Sequence, residues 1–96
     1  MEKLRNLKGL GVRSEQSLAA VRIYTPEDLR TIGPVMAYYR IKMHARDNGH
    51  PAPGLKLMYA LVGSVTDRSW SEVMEKERET LIAELRELES WKRLFV

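Results

Sequence analysis

Leu4–Leu18 reads LRNLKGLGVRSEQSL, and the fold turns on how this stretch is read. Leu4 and Leu7 are three apart and mark the inward face of a short first helix, expected over residues 2–8. Gly9-Leu10-Gly11 interrupts that helix. A second helix is expected from Ser14 as its cap to about Arg22, with Leu18 and Val21 sharing its inner face. Two helices joined by a glycine–hydrophobic–glycine turn make a helix-hairpin-helix. Glycine lacks a Cβ, so it takes positive φ and lets a ligand come close to the backbone. At least one of Gly9 and Gly11 is therefore expected at positive φ, with Leu10 pinning the turn to the core.

A second helix that starts just past the turn aims free N–H groups outward, where they favour an anion. Lys8, Gly9, Leu10, Gly11, Arg13 and Ser14 are the candidate contacts for a DNA phosphate. The plainer reading of the same residues is a tight turn between packed helices, with no ligand.

The bulk numbers fit one domain of 96 residues, 44% of them hydrophobic. There is no cysteine, so there is neither a disulfide framework nor a thiolate site. No stretch reaches the roughly 20 apolar residues of a membrane span, and the first residues lack the apolar core of a signal peptide. A cytoplasmic location is the expectation. The net charge of +3 is uneven. Residues 1–48 hold nine Lys and Arg against five Asp and Glu, and residues 49–96 hold seven against eight. The basic excess lies on the half with the hairpin, which favours a nucleic-acid partner.

Further on, Thr25-Pro26-Glu27-Asp28 is a helix start: a capping threonine, proline in the first turn, and two acids at the positive end of the dipole. Gly33 stops that helix. Pro34 opens the next, expected to about Asn48 with Gly49 ending it. Val35, Tyr38, Ile41 and Ala45 form one stripe on it, and Met36, Tyr39 and Met43 form the neighbouring one. A proline-stiffened loop follows, then a helix over roughly residues 54–65. Gly63 in that helix points to a close contact or a fraying end. A long last helix is expected from about Met74, after Ser69-Trp70-Ser71-Glu72 with its capping-box spacing. Leu81, Leu85, Leu88 and Phe95 form its seam. Glu72–Lys76 and Glu89–Arg93 are favourable i,i+4 pairs. Alternation is absent throughout, so the fold class is all-α: five to six helices with a long C-terminal one.

The candidates for chemistry are thin. His44 and His50 have no partner at metal-ligand spacing. The serines lack a nucleophile-elbow context. Glu27-Asp28 is explained by the helix dipole. Tyr38 and Tyr39 diverge by about 100° and cannot face one ligand. The expectation is a binding module, not an enzyme, with no metal, cofactor, membrane or small-molecule substrate.

At this point the residues match a family. LxxLxxLGVRSEQSLAAVRI at Leu4–Ile23, YTPEDLRTIGPVMAYYRIK at Tyr24–Lys42 and LKLMYALVGSV at Leu55–Val65, followed by Trp70, Arg78 and Leu81, resemble the C-terminal domain of TfoX, or Sxy. This is a family of bacterial competence regulators. The Ser14-Glu15 pair and Gly33–Tyr38 are its most specific parts. The resemblance implies a helix-hairpin-helix, SAM-like domain, related in shape to the C-terminal domain of the RNA polymerase α subunit. It also implies a role in, or descent from, transcriptional activation of DNA-uptake genes. The family's further N-terminal domain is expected to be absent, because Met1 lies just ahead of the hairpin. Thr66-Asp67 departs from the family by standing where a small, glycine-containing turn is common.

Two functions follow as expectations. One is weak, sequence-independent DNA contact through the hairpin. The alternative is a protein–protein adaptor without DNA binding, acting through the last helix. In that case Trp91, Leu94 and Phe95 would contact a transcription-regulator partner or a second copy of the chain as a homodimer.

Overall fold

The computed structural model describes residues 3–94, with side chains through Trp91. A 3₁₀ turn at Leu4–Asn6 opens it. Five helices follow among the described residues: α1 (Val12–Ala20), α2 (Pro26–Ile32), α3 (Pro34–Asp47), α4 (Leu55–Thr66) and α5 (Trp70–Leu94). There is no strand among them, as the lack of alternation implied.

Helix α4 is the centre. Its apolar residues point to several sides, so Met58, Tyr59, Leu61 and Val62 are all buried, and α2, α3 and α5 pack against it. Leu4, Leu18, Ile23, Leu29 and Val73 join Met58 and Leu61 as fully buried side chains, drawing every other element onto the same core. Burying each of these large aliphatic groups contributes about 1.5–3 kcal/mol. Tyr38, from the expected inner stripe of α3, is buried and donates its hydroxyl to the Pro53 carbonyl at 2.6 Å, tying the proline loop to α3.

The α2 start is as the sequence reads. Thr25 Oγ1 accepts from the Asp28 N–H at 3.1 Å and Asp28 Oδ2 accepts from the Thr25 N–H at 3.2 Å, a complete capping box. Gly33, at φ +93°, ends α2 and Pro34 opens α3. Helices α1 and α3 end alike. In α1 the Ile23 N–H donates to the Leu18 carbonyl at 2.9 Å, and in α3 the His50 N–H donates to Ala45 at 2.8 Å. Each needs one left-handed residue in between. In α3 it is Gly49, at φ +70°; in α1 it is Arg22, at φ +65°.

Four local expectations need correcting. The first segment is not a helix over 2–8 but one 3₁₀ turn at Leu4–Asn6, because Leu7 already takes extended angles, φ −73° and ψ 145°. Ser14 does not cap α1. That helix begins two residues earlier, with Gly11 as the cap residue and the Glu15 N–H donating to the Gly11 carbonyl at 3.0 Å. Its end is also earlier, at Ala20, since Arg22 leaves helical geometry. Helix α5 begins at Trp70, not Met74, because Ser69 Oγ accepts the Glu72 N–H at 3.3 Å and fixes the first turn there.

Of the two i,i+4 pairs expected on α5, Glu89–Arg93 lies outside the described side chains, which end at Trp91. Glu72–Lys76 forms at 3.2 Å along the helix. Glu89 reaches across to Lys42 on α3, at 2.9 Å. At the other end Arg68 pairs with Glu77, which lies between Val73 and Leu81 on the inward face of α5. Arg68 also donates Nε to Thr66 Oγ1 at 3.0 Å, which holds the α4–α5 turn.

Candidate nucleic-acid interface

The turn expected at Lys8–Ser14 is present, but it joins the 3₁₀ turn at Leu4–Asn6, in place of a first helix, to α1. Leu4, Leu7 and Leu10 are all buried, so three anchors hold the turn from below. The Leu10 N–H donates to the Leu7 carbonyl at 3.2 Å. Between these anchors the chain must reverse in two residues, and Gly9 does so at φ +82°. Gly11 has ordinary extended angles, φ −115° and ψ −172°, so only the first glycine needs the left-handed region.

Gly11 carries no side chain to cap α1, and the N–H groups of Val12, Arg13 and Ser14 meet no acceptor among the described residues. They are three donors at the positive end of a nine-residue helix. Lys8, Gly9, Gly11 and Arg13 are exposed around them, whereas Leu10 lies in the core and Ser14 is half-buried. Leu10, its side chain in the core and its N–H given to Leu7, has no donor left for a phosphate.

Sequence reading missed one part of the site. Glu15, in the first turn of α1, would oppose an anion. It is held by Arg5: the Arg5 backbone N–H donates to Oε2 at 3.2 Å, Nε to Oε1 at 3.1 Å and Nη2 to Oε1 at 2.7 Å. These bonds depress the Glu15 carboxyl below its ordinary range and raise the Arg5 guanidinium further. The carboxylate is thereby turned back onto the first arm of the hairpin and largely compensated. The sequence offered one signal, that residues 5 and 15 flank the same turn.

Of the other expected contact residues, only Trp91 has a described side chain. Trp91 is 56% exposed near the end of α5. Leu94 is the last residue of that helix, and Phe95 lies outside the described residues. His44 and His50 are both exposed, and His44 meets Asn48 rather than a second metal ligand. Among the described residues no group of three His, Cys, Asp or Glu could hold a metal ion, and no helix is long and apolar enough to cross a membrane.

No curated protein and no solved structure matches the chain. The family model for the TfoX C-terminal domain does, over residues 1–85. The matched span runs from the hairpin to Leu85, the last buried side chain of α5 among the described residues. The chain therefore belongs to the family of TfoX C-terminal domains.

Proposed function

We propose that this domain is a non-enzymatic, competence-related regulatory module that holds duplex DNA by its backbone, without reading sequence. The observation that carries this is the open end of α1: three N–H donors with no acceptor among the described residues, framed by Lys8 and Arg13. Donors at a helix start plus flanking cations suit a phosphate, and contacts to phosphate position a protein without carrying base information. Membership of the TfoX C-terminal family supports the regulatory part of the reading.

The test is an anisotropy titration of the chain with a short labelled duplex across a salt series. With about two to four phosphates neutralised, the log–log slope should be roughly −2 to −4. Changing Lys8→Glu together with Arg13→Glu should abolish binding and leave helicity unchanged. A chain that does not bind even at low salt is not a DNA-binding module.

A second reading rests on Trp91. A half-exposed tryptophan near the end of a helix suits a protein contact, since aromatic residues are enriched at interfaces. In that reading the end of α5 pairs with a second copy of the chain. Sedimentation of the chain beside a form truncated after Ser90 separates the two: a wild type that stays monomeric at high concentration ends the second reading.

A further inference from the structure

At the opposite end of α1 from the hairpin, that helix and α3 form a shallow groove between them. Arg22 lines the α1 side; Arg40, His44 and Asp47 line the α3 side, two arginines against one carboxylate. Both arginines are exposed, and among the described residues neither is in an ion pair. Val21 and Tyr39 form the half-buried floor.

Arg22 is in an unusual place. Helices α1 and α3 finish with the same hydrogen-bond pattern, and α3 uses Gly49 at its left-handed position. Helix α1 puts an arginine there at φ +65°, a conformation that side chains other than Gly, Asn and Asp rarely take. The backbone would be better served by glycine. The guanidinium is therefore held at the groove at a cost in backbone energy.

The exposed stripe of α1 that runs from the groove to the hairpin carries no acidic side chain. Arg13, Gln16 and Ala20 are exposed and spaced three and four apart, so they line one stripe of α1. Glu15 is turned away to Arg5. One cationic position therefore lies at each end of a nine-residue helix about 13 Å long. The length of that helix is of the same order as the roughly 12 Å width of the major groove of B-DNA.

We propose that Arg22 and Arg40 form a second phosphate-binding position, and that with the hairpin they let the domain straddle a groove of duplex DNA and hold phosphates on both strands. This rests on the hairpin reading and adds to it a preference for duplex over single strand. A duplex presents two phosphates at a fixed cross-groove distance, whereas a single strand loses conformational entropy to match it. The planar guanidinium fork suits phosphate oxygens better than an ammonium would.

The test uses the whole chain with a labelled duplex and, separately, its single strand, titrated across a salt series. Arg22→Gln with Arg40→Gln should keep the helicity of the wild type. It should weaken duplex binding roughly tenfold and make the log–log slope shallower by about one to two. It should also narrow the gap between duplex and single strand. Arg22→Lys with Arg40→Lys should restore most of the slope, which a merely structural role would not require. If the Gln pair changes neither affinity nor slope while Lys8→Glu with Arg13→Glu abolishes binding, the hairpin is the whole site and the second position is refuted. If the wild type binds no DNA, both readings fall. If a labelled oligoglutamate peptide binds more tightly than the duplex and is released by the Gln pair, the groove takes acidic protein and the proposal is overturned.

Discussion

Arg5 and Glu15, ten residues apart, are joined by three hydrogen bonds, the shortest from Arg5 Nη2 to Glu15 Oε1 at 2.7 Å. This pair laces the first arm of the hairpin to the first turn of α1. It also discharges the one carboxylate in the first turn of that helix.

The pair makes stability depend on pH in a definite direction. Hydrogen bonding to Arg5 keeps the folded Glu15 carboxyl below its ordinary value of 4.5. A depressed carboxyl contributes stability that is fully present above the unfolded value and is lost as pH falls through the folded one. Glu15→Gln should therefore lower the urea midpoint at pH 7, and the gap to wild type should close as the pH is taken well below 4.5. A gap that is constant with pH would show that the charge of Glu15 does nothing for the fold.

The two hairpin glycines should behave differently on substitution. Gly9→Ala forces a Cβ into φ +82° and should cost about 1–2 kcal/mol. Gly11 has extended angles and nothing within 4 Å of an added Cβ. Gly11→Ser should be tolerated or stabilise by a few tenths of a kcal/mol, since serine is at least as good a cap residue as glycine. Its hydroxyl would then occupy one of the open N–H donors and compete with phosphate. Thermal melts give the first comparison, and DNA titration of the Gly11→Ser form gives the second.

Much of this fold is legible in the sequence because its punctuation is local. Thr25, Pro26 and Asp28 carry the whole α2 start within four residues, and Gly33 with Pro34 marks the next boundary. The hairpin reads for the same reason. What stays hidden is whatever needs the tertiary arrangement. Glu89 pairs with Lys42, forty-seven residues away, because α3 and α5 pack side by side, and no local pattern announces that. The start of α1 was displaced because a hydroxyl at Ser14 looks like a cap, while the backbone had already entered the helix at Val12. The open donors accordingly belong to Val12, Arg13 and Ser14, within the expected Lys8–Ser14 stretch.

Gly63 is required for a steric reason and not for its φ. A Cβ there would overlap the Arg68 backbone carbonyl oxygen, which the α4–α5 turn brings against the helix. The Arg68 N–H donates back to the Gly63 carbonyl at 2.8 Å, so the two backbones cannot separate without losing that bond. Gly63→Ala should destabilise by about 3 kcal/mol, the upper part of the overpacking range. A melt within a degree or two of wild type would show that the turn can move aside.

Arg22 separates stability from binding. Its left-handed backbone costs roughly 1–2 kcal/mol that glycine would not incur, and glycine gives part of this back through the larger entropy of its unfolded chain. Arg22→Gly should therefore stabilise the domain by about 0.5–1 kcal/mol, a rise of a few degrees in melting temperature for a domain this small. The hydrogen bonds that end α1 should be unaffected, since α3 makes the same pattern around Gly49. The same substitution removes a guanidinium from the groove shared with Arg40, so duplex affinity should fall as the melting temperature rises. Opposite movement of the two quantities in one variant is the expected result, measured by a melt and a DNA titration on the same preparation. A melt that rises with unchanged affinity would mean that the arginine serves nothing at that groove. A melt that falls would mean that its side chain supports the fold in a way its exposed position gives no sign of.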